Sequence, residues 1–95
     1  MPRFVAVAEA PNLSEESFRA ALGTMRKWRF DRRAWIVKAY SSQSDASVVV
    51  ECEAPNQAQF EGWLRDSGWQ ARSIKEVELV FEDGTIWPLN GHHKE

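Results

Sequence analysis

Cysteine and histidine are almost missing from this chain: Cys52, His92 and His93 are all it has in 95 residues. One cysteine closes no internal disulfide, so the fold must hold without a covalent staple. With both histidines adjacent near the end, no Ser-His-Asp or Cys-His set can be assembled around a core. Long apolar runs are missing too. No stretch of eighteen apolar residues occurs, and none is expected to span a bilayer. The five glycines are scattered, which excludes a Gly-rich phosphate loop. Excess charge is small, at a net −2, and gives no global attraction to nucleic acid or an acidic membrane. The opening Met1-Pro2-Arg3-Phe4 has no basic segment leading into an apolar one, so no signal peptide is expected. These absences favour a cytoplasmic protein with neither a nucleic-acid nor a membrane partner.

What is present is an ordinary apolar share of 43%, enough for one globular domain. We place that domain at residues 1–89, with residues 90–95 as a polar, flexible tail. Arg3 to Glu9 is rich in Phe and Val and reads as a strand, ended by Pro11-Asn12. Ser14 then caps a helix, with Glu15 and Glu16 complementing its dipole. Phe18, Ala21, Leu22 and Met25 recur at the helical period, which carries the helix to about Arg29. Gly23 inside it implies a closely passing strand. Arg33 to Ser41 alternates as a second strand, with Trp35, Val37 and Ala39 on one face and Ile36, Lys38 and Tyr40 on the other. A polar turn leads to a third strand, Ser47 to Glu53. Pro55 stops it, Asn56 caps a second helix, and Gly68 ends that helix. Ile74 to Glu82 reads as the fourth strand. Asp83-Gly84 is a two-residue hairpin signal, and Thr85-Ile86-Trp87 returns as a short extra strand ended by Pro88. The order β-α-β-β-α-β defines an α+β, ferredoxin-like sandwich: an antiparallel sheet with two helices on one face and the other face open.

That open face and its rim are where function is expected. Five tryptophans, Trp28, Trp35, Trp63, Trp69 and Trp87, exceed what so small a core absorbs. The surplus points to a ligand or subunit contact, with Trp35, Tyr40, Trp63, Trp69 and Trp87 as candidates. Arg26, Lys27, Arg29, Arg32 and Arg33 form a basic patch at the end of the first helix. Its simplest role is to complement the helix dipole, and the sharper alternative is a phosphate or acidic-partner site. An RNA-binding sheet of this topology stacks bases on central-strand aromatics, whereas the third strand here is acidic and has none. The acidic set Glu51, Glu53, Glu76, Glu78 and Glu82 reads first as a solvated or subunit-facing rim. General acid/base chemistry would require a cleft. Cys52 reads as a small buried hydrophobe unless a cation such as Lys38 stands beside it. His92 and His93 add a tail site able to take Ni or Cu.

Trp35 with Lys38-Ala39-Tyr40-Ser41, Glu53-Ala54-Pro55-Asn56, Arg65 with Gly68, Ile74 with Glu76-Val77, and the Met1-Pro2-Arg3-Phe4 start form a set of short motifs. Through them the chain resembles a family of small bacterial ferredoxin-like proteins of largely unknown function, which includes actinobacterial nickel-binding members. The likeness covers most of the first 77 residues and leaves Leu79 to Glu95 outside it. It implies a dimeric habit, and a third-strand cysteine with a second-helix histidine as soft-metal ligands. Val50 and Trp63 stand at those two positions here, with Cys52 two residues along from the first.

Three functions follow as expectations. The first is a non-catalytic homodimer that binds a small apolar ligand or a protein partner through the open face, with no cofactor. The second is a nickel-type transition-metal protein using Cys52, His92 and His93. The third is a small dimeric α/β-barrel enzyme acting on an aromatic compound, for which no acid/base group is identifiable.

Overall fold

The computed structural model describes residues 1–25 and 32–89. The chain runs β1 (Arg3–Glu9), α1 (Glu15–Met25), β2 (Trp35–Ser42), a short 3₁₀ turn (Gln43–Asp45), β3 (Ser47–Glu53), α2 (Gln57–Asp66), β4 (Gln70–Val77), β5 (Leu79–Glu82) and β6 (Thr85–Pro88). The first four strands form one sheet in the order β2-β3-β1-β4, with every neighbouring pair antiparallel. This is the expected ferredoxin-like arrangement.

Local chemistry sets the helix ends. At α1 the Ser17 amide donates to Ser14 Oγ at 3.1 Å, and the Ser14 amide donates back to Ser17 Oγ at 2.8 Å. This is a reciprocal cap built with serine at the third position. At α2 the Gln59 amide donates to Asn56 Oδ1 at 2.9 Å. The far end closes through Gly68 at φ 87°, whose amide donates to the Arg65 carbonyl at 3.0 Å. The Trp69 amide reaches back to Leu64 at 3.1 Å. These two bonds satisfy the orphan carbonyls of the last turn and carry Trp69 toward the core beside Leu64. The continuation of α1 toward Arg29 lies outside the described residues.

The core lies on one side of the sheet. Phe4, Ala6 and Ala8 of β1 and Val48, Val50 and Cys52 of β3 face it, and all are buried. Phe60, Trp63 and Leu64 of α2 fill it, with Phe18, Ala21 and Leu22 of α1 at its margin. Phe60 links Phe4 and Trp63 with ring centroids 5.7 and 6.0 Å away, and Phe18 stacks on Trp69 at 6.3 Å. The small Ala6 and Ala8 leave room beneath the helices for these rings, so large residues on one layer meet small ones on the other.

Three sequence expectations change. The alternation in β2 breaks at a bulge between Ile36 and Lys38. Ile36 and Ala39 therefore share the core side, while Trp35, Lys38 and Tyr40 pair with outward β3 positions. The fourth strand is not one run from Ile74 to Glu82. It starts at Gln70 and ends at Val77, and Leu79 opens a separate hairpin, β5-β6. A side chain added at Gly23 would meet nothing within 4 Å, so no close strand accounts for that glycine. The hairpin turn itself is as expected, with Asp83 and Gly84 both at positive φ, 55° and 76°.

Replacing Asn56 by Ala should cost about 1 kcal/mol through loss of the cap. Replacing Gly68 by Ala should cost about 1–2 kcal/mol because a Cβ strains the left-handed backbone. Urea melts of the two variants check both figures, and a Gly68→Ala protein as stable as the parent would contradict the capping account.

Candidate functional site: the open sheet face and its hairpin

The face away from the helices carries Arg3, Val5, Val7 and Glu9 of β1, because residues alternate along a strand. Cross-strand partners extend the pattern. Val5 lies between Glu51 and Lys75, Val7 between Val49 and Ser73, and Arg3 between Glu53 and Val77. Ion pairs close both ends of this surface. At one end Arg3 donates to Glu51 at 2.6 Å and Glu53 at 3.0 Å. At the other, Arg72 reaches Glu9 at 3.2 Å and Asp45 at 3.7 Å. Between them runs a half-buried strip of Val5, Val7 and Val49.

Burial alone would lower the pKa of the Arg3 guanidinium, but the hydrogen bonds and charges of Glu51 and Glu53 outweigh it and raise the value. Two carboxylates of the acidic set thus serve as a clamp that ties β1 to β3. In the sequence Arg3 reads as the start of a strand and part of the opening motif, with no ion-pair partner in view. The signal that would have found it is the antiparallel register, which sets a cation opposite Glu53.

The β5-β6 hairpin lies on the open side. The Leu89 amide donates to the Glu78 carbonyl at 2.8 Å and closes its base. Between hairpin and sheet is an open groove of about 710 Å³. Arg3, Val37, Lys38, Tyr40 and Glu51 line its sheet side, and Val80, Phe81, Glu82, Asp83, Trp87 and Leu89 its hairpin side. Its volume is in the range of small-molecule sites. The Lys38 ammonium sits 5.6 Å from the centre of the Tyr40 ring. Its pKa is raised chiefly by its hydrogen bond to the Tyr40 side chain, with Glu82 and Glu51 adding to the effect. Lys38 therefore stays a cation at neutral pH and offers the groove charge rather than a free amine.

The candidate aromatic residues divide cleanly. Trp63 and Trp69 are core residues at 2% and 6% exposure. Trp35, Tyr40 and Trp87 are about half exposed, at 48%, 57% and 52%. Trp28 lies outside the described residues, as do Arg26, Lys27, Arg29, His92 and His93. Of the basic patch, Arg32 is exposed, and Arg33 reaches across to α2 and bonds Asp66 at 2.8 Å.

Cys52 points into the core, whereas Lys38 is on the opposite side of the sheet; Cys52 pairs with Ile36, and Lys38 with Glu51. Burial pushes the Cys52 thiol up to about 12, with the Glu51 charge adding and Arg3 opposing. Val50 and Trp63 are packed in the same core and present no lone pair for a metal. No group of three or more His, Cys, Asp or Glu side chains placed to hold a metal exists among the described residues. The residues present do not fit a nickel site at those family positions.

Native Cys52 should therefore resist thiol reagents at pH 8 and react only on unfolding, with labelling read by mass spectrometry. The linkage has a definite sign. The unfolded thiol ionises near 9 and the folded one near 12, so its contribution to stability declines as pH rises between those values. A Cys52→Ala variant should lose that part of the alkaline decline. An Arg3→Ala change should cost about 1–3 kcal/mol, between the values for exposed and buried pairs. A double-mutant cycle with Glu51→Gln isolates the pairwise part.

No known family model matches this sequence, and no curated protein matches it either. Among solved structures, the chain is similar to SCO4226 from Streptomyces coelicolor A3(2), with a TM-score of 0.69 at 16% identity. The match covers 82% of this chain and 98% of that one, so the bacterial protein shares the fold and this chain carries additional length.

Proposed function

We propose that the chain is a non-catalytic binding module that acts as a homodimer and takes a small, largely apolar ligand at its open sheet face. One observation carries this reading. Of the eight large hydrophobic side chains left exposed among the described residues, seven lie on β2 or the hairpin: Trp35, Val37, Tyr40, Leu79, Phe81, Ile86 and Trp87. Water-exposed apolar surface gathered on one side is a mark of a contact surface. Tyr40 and Trp87 supply flat walls for a ligand, and Lys38 supplies one charge for orientation. A bacterial source and a cytoplasmic location belong to the same reading.

The chemistry of the groove supports binding over turnover. Its Glu51 carboxylate is held by Arg3, and its lysine is protonated. The one thiol lies buried on the other side of the sheet. A dimeric barrel enzyme for aromatic compounds would need a proton-transfer group beyond these. The transition-metal alternative is left with Cys52 and the tail pair His92 and His93 as its donors.

Sedimentation velocity from 1 to 200 µM should give a dimer, and a monomer throughout would remove the reading. The fluorescent probe 1-anilinonaphthalene-8-sulfonate should bind, and Trp87→Ala with Tyr40→Ala should weaken it about tenfold or more, in line with the loss of an aromatic anchor. Calorimetry with Ni(II) should give no binding once the chain is cut after Asn90. Binding that survives the cut would favour the metal alternative.

A further inference from the structure

The groove between sheet and hairpin holds more acid than base. On the sheet side the Arg3 guanidinium sits between Glu51 at 2.6 Å and Glu53 at 3.0 Å, so two carboxylates already answer its charge. Lys38 is the other cation of the lining, and it is bonded to Tyr40 and faces the charges of Glu82 and Glu51. On the hairpin side stand Glu82 and Asp83. Neither of these carboxylates forms a salt bridge among the described residues. Against Arg3 and Lys38, therefore, stand Glu51, Glu53, Glu82 and Asp83, with the unpaired acid gathered at the hairpin tip.

Aromatic rings lie beside that surplus. Tyr40, Phe81 and Trp87 all line the groove, and each is more than half exposed. The face of an aromatic ring is the negative end of its quadrupole and attracts cations. The groove uses this attraction once within itself, where the Lys38 ammonium lies 5.6 Å from the centre of the Tyr40 ring. Resting on the binding-module reading above, we propose that the ligand of this groove is an organic cation of the alkyl- or arylammonium class. Its apolar body lies between Tyr40 and Trp87, and its positive head faces Glu82 and Asp83.

Other ligand classes fit less well. An anion has Lys38 to meet, but that charge is already opposed by Glu82 and Glu51, and the remaining carboxylates repel it. A neutral apolar ligand would take water from Glu82 and Asp83 and give nothing in return. A bare metal ion finds no group of three ligating side chains among the described residues. An organic cation meets the ring faces and the carboxylates together, which is how aromatic cages take quaternary ammonium groups. Lys38 then sets direction by repulsion: it keeps the positive head off the sheet side and at the hairpin tip.

Two probes with the same ring and opposite tetrahedral heads test this on the full chain: benzyltrimethylammonium and phenylmethanesulfonate. Each is titrated into isotope-labelled protein, with binding read by NMR from the Trp87 indole and Gly84 amide signals. The ammonium should bind about tenfold or more tightly than the sulfonate. A variant carrying Glu82→Gln and Asp83→Asn should weaken the ammonium about tenfold, and asparagine tolerates the positive φ of the turn. Lys38→Gln should tighten the ammonium and weaken the sulfonate, opposite signs that a damaged fold would not give. A sulfonate as tight as the ammonium, or an ammonium indifferent to loss of both carboxylates, overturns the cation assignment and leaves the binding-module reading in place. A Lys38→Gln change that moves neither affinity overturns the repulsive role of Lys38. If neither probe nor 1-anilinonaphthalene-8-sulfonate moves the groove signals, the cation assignment and the binding-module reading both fall.

Discussion

The alternation of β1 is the constraint on which the rest of this structure depends. Its inward residues, Phe4, Ala6 and Ala8, lie fully in the core, and its outward residues, Arg3, Val5, Val7 and Glu9, define the open face. A slip of one residue would exchange the two sets and bury a guanidinium under Phe60. The register is fixed from both sides of the strand. On the core side, the Phe4 ring meets Phe60. On the open side, Arg3 meets Glu51 and Glu53. The same alternation therefore decides what the helices cover and what remains available for binding.

Topology explains why only one face is covered. β1 and β2 run parallel with β3 between them, and β3 and β4 run parallel with β1 between them. Each parallel pair needs a crossover, and the right-handed rule for such connections sends α1 and α2 over the same side. Among the described residues no third helix remains for the other side. What the chain places there is the β5-β6 hairpin, whose inner face leaves a groove rather than a packed layer. In the groove Arg3 and Glu51 are paired with each other and Lys38 is held as a cation, which suits recognition.

Much of the framework was legible in the sequence because its signals are local. Ser14, Asn56 and Gly68 act at helix ends by bonding to neighbours within a few residues. Asp83-Gly84 takes its turn for equally local reasons. The face assignment of Lys38 and Tyr40 was partly obscured because a bulge at Val37 changes the phase of β2, and a bulge has no sequence marker here. The end of β4 at Val77 was hidden for a related reason. Ile74 to Glu82 carries an unbroken strand-like composition, and only the tertiary position of the hairpin interrupts it. The Arg3 clamp joins residues 48 and 50 apart in sequence, so it becomes visible only once the β1-β3 register is known. Among the aromatics, the surplus of tryptophan was readable as a number. Its division into buried Trp63 and Trp69 and exposed Trp35 and Trp87 follows from which element faces the helices.

The hairpin is the part of the molecule with the weakest structural reason to exist. Four strands and two helices already complete the fold, and a Streptomyces protein matched over 98% of its length shares that core at a TM-score of 0.69. The hairpin contributes Leu79, Phe81, Ile86 and Trp87 to the surface, all more than half exposed. Stability of the protomer gives no account of such residues, since apolar area left in water adds nothing to it. The physical question for this protein is therefore what covers those side chains.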